Sequence, residues 1–228
     1  MRNESIEKNF QKIRRELPDD VKLLLATKGR SAEEVSRAID AGARLIGENY
    51  TSPEAVEKYE QLGDKARWVQ WHLIGHLQTN DINKALPLFD MIQTVESVRK
   101  GRHIDKRVER AGKEVMPVLI EVNSAEEENK YGVPPRFEAL AELLRGLSEL
   151  DHLAVRGLMT MGPFREDPEE IRPFFRKTKE LFERAKELDL PNCRMEELSM
   201  GMSDSYRVAV EEGATIVRPG TAIFGPRE

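Results

Sequence analysis

Residue types able to do covalent or anion chemistry concentrate at a few points in this chain. One is a lysine that ends an apolar run, Lys22-Leu-Leu-Leu-Ala-Thr-Lys28. An amine set beside buried surface has its ammonium form disfavoured by desolvation, and a neutral amine is what Schiff-base chemistry requires. The plainer reading is a lysine that snorkels from a strand end into solvent. A second point is Leu198-Ser199-Met-Gly-Met-Ser203, which reads as a strand end opening into a helix, and a third is Val217-Arg218-Pro-Gly220-Thr221-Ala222. Hydroxyls and glycine amides at two neighbouring strand ends form an anion cradle, because backbone N–H groups point at the ligand and a helix N-terminus adds favourable partial charge. Arg218 adds a fixed cation with directional donors. Two glycine-rich turns around a structural arginine is the bland reading of the same residues.

A strand-end lysine and an anion cradle together suit a phosphorylated aldehyde. Pyridoxal 5′-phosphate fits both ends, and so does a phosphosugar handled by a Schiff-base aldolase. Two further polar residues stand at strand ends: Asn49 in Gly47-Glu-Asn-Tyr50, and His72 in Trp71-His-Leu-Ile-Gly-His-Leu-Gln78. Taken alone, Asn49 reads as a turn residue and His72 as a hydrogen-bonded core histidine. Glu48 is placed to pair with Lys28 or with another cation inside the fold. The remaining histidines, His76, His103 and His152, are scattered, with no H-x-x-H or C-x-x-C spacing, so no metal site is expected.

The elements that must position these residues alternate along the chain. Apolar, β-branched runs occur at 22–28, 44–48, 69–74, 91–96, 116–123, 155–161, 197–200 and 215–219. Amphipathic segments lie between them. Ser31-Ala-Glu-Glu34 is a capping box, in which a serine and a glutamate three residues on satisfy two orphan amides, and Gly42 closes that helix. Pro53 opens the next, residues 137–147 carry leucines at helical spacing, and a short helix spans 203–212. Alternating β and α implies a parallel sheet, and eight repeats in 228 residues favour a closed barrel. The expected fold is a single (β/α)8 TIM-type barrel over 1–228, led by an extra helix in 1–20, without a C-terminal β domain. A missing G-x-G-x-x-G after a strand disfavours a dinucleotide fold.

Bulk numbers narrow the class. A net charge of −5 argues against a nucleic-acid binder or an anionic-membrane binder. The lone cysteine, Cys193, excludes an intrachain disulfide and suits a reducing, cytoplasmic setting. No apolar run reaches the ~18 residues of a membrane span.

The motifs quoted above, with Lys130-Tyr-Gly132, Val155-Arg-Gly-Leu-Met159 and the stretch from Val217 to Gly225, resemble those of the pyridoxal-phosphate homeostasis proteins (the YggS/PROSC family) from Leu23 to Arg227. The resemblance implies a barrel like the N-terminal domain of alanine racemases. It implies a Schiff base on Lys28, with Arg218 facing the pyridine nitrogen and with Ser199, Ser203, Gly220 and Thr221 at the phosphate. Asn49 and His72 would line the ring, and Lys130 would be a secondary lysine for the cofactor. There are departures: Asp81 stands where the family usually has lysine, Ser205 where an acid is common, and Gly29-Arg30 is an uncommon continuation. Because racemisation needs an acid/base group on each face of the ligand, and the chain ends just after the eighth strand, the expectation is a non-catalytic carrier. It would be a monomer that buffers the cofactor and delivers it to apo-enzymes. A single-domain racemase, a class I aldolase and a protein-binding regulator with a vestigial site are the alternatives.

Overall fold

Eight short strands, each followed by a crossover, leave one way to bury both faces of a parallel sheet, and the computed structural model of residues 5–226 shows it: a barrel closed in sequence order. The strands are β1 (Lys22–Ala26), β2 (Leu45–Glu48), β3 (Gln70–Leu73), β4 (Met91–Val95), β5 (Met116–Glu121), β6 (Leu153–Met159), β7 (Cys193–Ser199) and β8 (Ile216–Val217). Helices α1 (Ser5–Glu16), α2 (Ala32–Asp40), α3 (Glu54–Leu62), α4 (Ile82–Ala85), α5 (Val98–Arg110), α6 (Phe137–Ser148), α7 (Arg172–Lys186), α8 (Tyr206–Glu211) and α9 (Thr221–Phe224) surround it. The expected barrel is therefore present. Of the leading helix expected in 1–20, residues 1–4 lie outside the described residues, as do Arg227, where the resemblance ends, and Glu228.

Side chains on each strand alternate between two environments. Outward, Leu23, Ile46, Trp71, Ile92, Val118 and Leu198 join the helices in one continuous core. Burying each such leucine contributes about 1.5–3 kcal/mol. Inward, Leu24, Leu45, Ile74 and Ile216 form a small separate apolar cluster. Polar residues share the interior, as described below.

α1 flanks the barrel instead of plugging it. Ile6, Phe10 and Ile13 face the core, the Asn9 amide donates to the Ile223 carbonyl at 3.0 Å, and Arg37 pairs with Glu7 at 2.6 Å. The Ser31 capping box forms as read, with Ala41 capping the helix and Gly42 following at φ +114°.

Two boundaries differ from the sequence reading by three residues or more. β7 starts at Cys193, not at 197, because its first half carries exposed Arg194 and Glu196 on the outside of the sheet and so lacks an apolar signature. α8 starts at Tyr206, not at 203, because the Ser205 hydroxyl accepts from the Met202 amide and holds the preceding residues in a turn. β6 shifts register beside both neighbours at Gly157, where φ is +149° and a Cβ would sit 1.8 Å from the Glu197 carbonyl oxygen. Only glycine permits that approach. Among the described residues no helix is long and apolar enough to cross a membrane.

Candidate functional site

Lys28 lies two residues beyond the end of β1, half-buried, with Nζ 3.4 Å from the Tyr50 hydroxyl and 5.0 Å from its ring centroid. Its backbone is anchored from three sides. The Thr27 amide donates to the Gly47 carbonyl at 2.9 Å, the Thr27 hydroxyl donates to the Glu48 carboxylate, and Lys58 Nζ donates to the Thr27 carbonyl at 2.7 Å. Lys58 also forms an ion pair with Glu48. Both side chains are buried, at 4% and 0% exposure. Burial pushes the Glu48 carboxyl up, against the opposing pull of Lys58 and Thr27. The cation that Glu48 takes is thus Lys58, and Lys28 is left to face the barrel mouth.

The turn after β8 abuts the strand that carries this lysine. The Ala26 amide donates to the Pro219 carbonyl at 3.1 Å, and a Cβ at Gly220 would stand 2.9 Å from the Ala26 carbonyl oxygen. In that turn the Ser203 hydroxyl accepts from the Gly220 amide at 3.1 Å and from the Ala222 amide at 3.0 Å. One oxygen taking two converging backbone amides is the arrangement that a phosphate oxygen occupies. Thr221 is exposed at the same turn.

Arg218 turns inward from the end of β8, at 2% exposure. It donates through Nη1 to the Ser199 hydroxyl at 2.6 Å and through Nη2 to the Thr160 carbonyl at 2.8 Å, with Met161 Sδ at 3.4 Å. Ser199 in turn donates to Gln93 Oε1 at 2.7 Å, and Gln93 Nε2 meets His72 Nδ1 at 2.9 Å. A buried chain of hydrogen bonds, His72–Gln93–Ser199–Arg218, therefore crosses the barrel interior from β3 to β8. Since an amide NH2 only donates, His72 accepts through Nδ1 and carries its proton on Nε2. Burial, and then the charge of Lys22, lowers its pKa to about 4, so the ring is neutral. Burial also lowers the Arg218 pKa to about 10. Among the described residues no carboxylate lies within ion-pair distance of Arg218.

The residues singled out from the sequence thus separate into two groups. Lys28, Ser203, Gly220 and Thr221 gather on adjoining strand ends of β1, β7 and β8, whereas Ser199 joins Arg218 and His72 in the interior network. Asn49 lines a different cleft, with Tyr50, Gly75, His76 and Gln78. Lys130 spans from the loop after β5 to the loop after β6, donating to Glu127 at 2.6 Å and to the Gly162 carbonyl at 3.1 Å. It lines a cavity of about 280 Å³ with Glu121, Thr160, Met161 and Met202. Gln93, Thr160 and Glu121 went unselected in the sequence. A glutamine centred in the buried run Met91-Ile-Gln-Thr-Val95 was the available signal for Gln93. Among the described residues no cluster suits a metal ion.

Comparison with known proteins adds to this geometry. The family model described as "Alanine racemase, N-terminal domain" matches residues 2–228. The pyridoxal phosphate homeostasis protein of Aquifex aeolicus is 41% identical over 210 residues, covering 91% of this chain and 87% of that one. The protein of the same name from Homo sapiens is 35% identical over 234 residues, covering 99% and 84%. The solved structure of PipY from Synechococcus elongatus with PLP bound superposes with a TM-score of 0.86 at 32% identity, covering 96% of this chain and all of that one. A barrel of this order, matched nearly end to end by both model and relatives, belongs to the alanine racemase N-terminal domain family and, within it, to the pyridoxal phosphate homeostasis proteins.

Proposed function

We propose that this protein binds pyridoxal 5′-phosphate at the barrel mouth, holds it through Lys28, and serves to buffer the cofactor and hand it on rather than to turn over a substrate. The observation that carries the reading is the juncture of β1 with the turn after β8. There a lysine-bearing strand end packs on a glycine whose amide already converges with another on one oxygen. The donor set fits the group: an amine for an aldehyde, a two-amide cradle for a phosphate, and a buried guanidinium for a ring nitrogen. When bound, the cofactor supplies an aldehyde that condenses with amines and a ring that withdraws electrons.

Each residue then has a stated task. Lys28 supplies the amine. Ser203, Gly220 and Thr221 hold the phosphate, and Arg218 faces the ring nitrogen, with Ser199 and Gln93 fixing the plane of its guanidinium. A permanent cation there disfavours a second positive charge on that nitrogen, which weakens the ring as an electron sink and suits storage over carbanion chemistry. His72 is neutral and tied to Gln93, so it is a positioning residue and not a proton donor. Asn49 and Lys130 lie on the flanks of the mouth, where Lys130 is a candidate second amine for a cofactor in transit. The partners of such a carrier are apo-enzymes that need the cofactor, the chain acts as a monomer, and the half-buried Cys193 fits a cytoplasmic setting. Burial raises the Cys193 pKa to about 11, so it packs rather than reacts.

The test is a racemase assay on a panel of amino acids beside a titration with pyridoxal phosphate. The expected result is stoichiometric binding without robust turnover. Robust turnover abolished by Lys28→Ala overturns the carrier reading in favour of a single-domain racemase.

Arg218→Met separates ligand from fold. Removing a desolvated cation relieves a cost of several kcal/mol and gives up three contacts, so the urea midpoint of the ligand-free protein is expected to stay level or rise. Pyridoxal phosphate affinity is expected to fall roughly ten- to hundredfold, the worth of one charge-assisted hydrogen bond of about 1.5–3 kcal/mol. Unchanged affinity by absorbance titration contradicts the assignment.

A further inference from the structure

Among the described residues, five large apolar or aromatic side chains are left exposed: Tyr50, Trp68, Val115, Tyr131 and Phe164. Trp68 and Val115 precede β3 and β5 and so belong to the far end of the barrel. The other three, all aromatic, follow β2, β5 and β6 and stand at the end where Lys28 opens. Their exposures are 53% for Tyr50, 55% for Tyr131 and 79% for Phe164. A single exposed apolar side chain is ordinary, but three aromatics at one mouth mark a surface that a partner covers.

Tyr131 and Tyr50 are held in place. Tyr131 stacks on His76, with ring centroids 3.6 Å apart and planes 15° from parallel. The Tyr50 ring lies 5.0 Å from the Lys28 amine. Tyr131 shares one cleft with Tyr50 and the next with Phe164, so the three form a continuous arc. Lys130 Nζ, donating to the Gly162 carbonyl at 3.1 Å, ties the loop that carries Tyr131 to the loop that carries Phe164. Anchors already fixed in the free protein lose little entropy on contact, and aromatic residues are enriched in the buried centres of protein interfaces. The arc is flanked by acid. Glu126, Glu127 and Glu128 lie in the Tyr131 loop, and Glu166 and Asp167 come just after Phe164. Glu127 pairs with Lys130, whereas Glu128 and Glu166 are exposed and have no ion-pair partner among the described residues.

We propose that this arc is the docking face for the apo-enzyme that receives the cofactor, and that what it fits is the basic rim of a pyridoxal-phosphate site still empty. The inference rests on the reading that Lys28 holds pyridoxal phosphate, and it adds how the recipient is recognised. A recipient must approach this end of the barrel, because the amine that gives up the cofactor opens here.

The chemistry of the recipient sets the sign of its charge. Its own site needs cations for the phosphate and a lysine for the aldehyde, so its rim is positive while the site is empty. Opposite charges steer the encounter, and the aromatics supply the apolar contact. A second copy of this chain is a poorer occupant. A two-fold contact through one shared patch brings the acids of the Tyr131 and Phe164 loops toward their own kind.

The test loads wild type, Phe164→Ser and Glu128→Lys with pyridoxal phosphate and mixes each with apo-enzymes that take this cofactor: an aminotransferase, a decarboxylase and a racemase. A phosphatase in excess destroys whatever cofactor escapes to solution, so regained enzyme activity reads transfer within a complex. Free pyridoxal phosphate treated alike is the blank. The expected result is transfer from wild type at a rate that rises with apo-enzyme concentration. Phe164→Ser is expected to lower that rate about tenfold, as the loss of one interface anchor implies. Glu128→Lys should slow it too, and raising salt from about 0.05 M to about 0.5 M should slow wild type more than this variant. Both side chains are exposed, so pyridoxal phosphate affinity and the unfolding midpoint should match wild type in each variant. The wild-type measurement needs no variant. Transfer abolished by the phosphatase for all three recipients, or transfer from Phe164→Ser at the wild-type rate, overturns this inference and leaves the cofactor site standing. A wild-type dimer in sedimentation that Phe164→Ser dissociates gives the face to a second copy and overturns it as well. Absence of any pyridoxal phosphate binding by wild type overturns both readings.

Discussion

Lys28→Ala is expected to be recovered colourless and to retain no ligand through dialysis, where wild type keeps about one pyridoxal phosphate per chain through a condensed amine. The fold is not expected to change. Lys28 is half-exposed, and its amine lies 3.4 Å from the Tyr50 hydroxyl and 5.0 Å from the centroid of that ring. Substitutions at such surface positions usually stay within about 0.5 kcal/mol. The thermal midpoint of the ligand-free variant should therefore match that of ligand-free wild type. Reversible binding through Arg218 and the Ser203–Gly220 turn remains, and equilibrium dialysis measures it as a weak, dischargeable component. A Lys28→Ala protein that still holds the ligand tightly places the reactive amine elsewhere.

The second large effect lies behind the lysine. Lys58→Met is expected to destabilise the protein by about 3–5 kcal/mol, because it strands the Glu48 carboxylate at 0% exposure without its cation. That is a large part of the total stability of a domain, about 5–15 kcal/mol. Adding Glu48→Leu should recover most of the loss, since a buried ion pair removed whole is often neutral. The pH dependence carries the same signature. A carboxyl whose folded pKa is raised binds more protons in the folded state, so its stabilising share is present below the ordinary carboxylate range and is lost as pH rises through the raised value. Urea unfolding of Lys58→Met should therefore weaken as pH rises from about 4, the unfolded value, and the double variant should not show that slope. Because Lys58 also donates to the Thr27 carbonyl, the single variant should loosen the backbone beside Lys28 and lower ligand affinity along with stability. A Lys58→Met protein with an unchanged unfolding midpoint contradicts this account of the pair.

What the sequence discloses here follows from where each signal is local. The eight strands and their closed order were legible, because parallel strands buried on both faces leave apolar runs and the capping serine of α2 marks its own helix. Lys28, Ser203, Gly220 and Thr221 were legible because they sit at strand ends. The start of β7 was not, since Arg194 and Glu196 face outward into solvent and break the apolar pattern. α5 was hidden in the same way, with Ile104 and Val108 buried amid a run of Arg and Lys. The interior network was the least legible part. Ser199 reads locally as a cradle hydroxyl, yet a residue more than a hundred positions earlier, Gln93, accepts its proton and aims it at Arg218. Nor does local sequence disclose Glu48, which offered a choice of cations until the fold brought Lys58 to it from one helix away.

The central claim is that one particular amine carries the cofactor. Borohydride reduction of the wild-type protein loaded with pyridoxal phosphate, followed by peptide mass spectrometry, reads this directly. The account predicts the reduced pyridoxyl group on the peptide containing Lys28, with Lys130 at most a minor site at high ligand excess. A pyridoxyl group found on Lys130 or another lysine, with Lys28 unmodified, contradicts it.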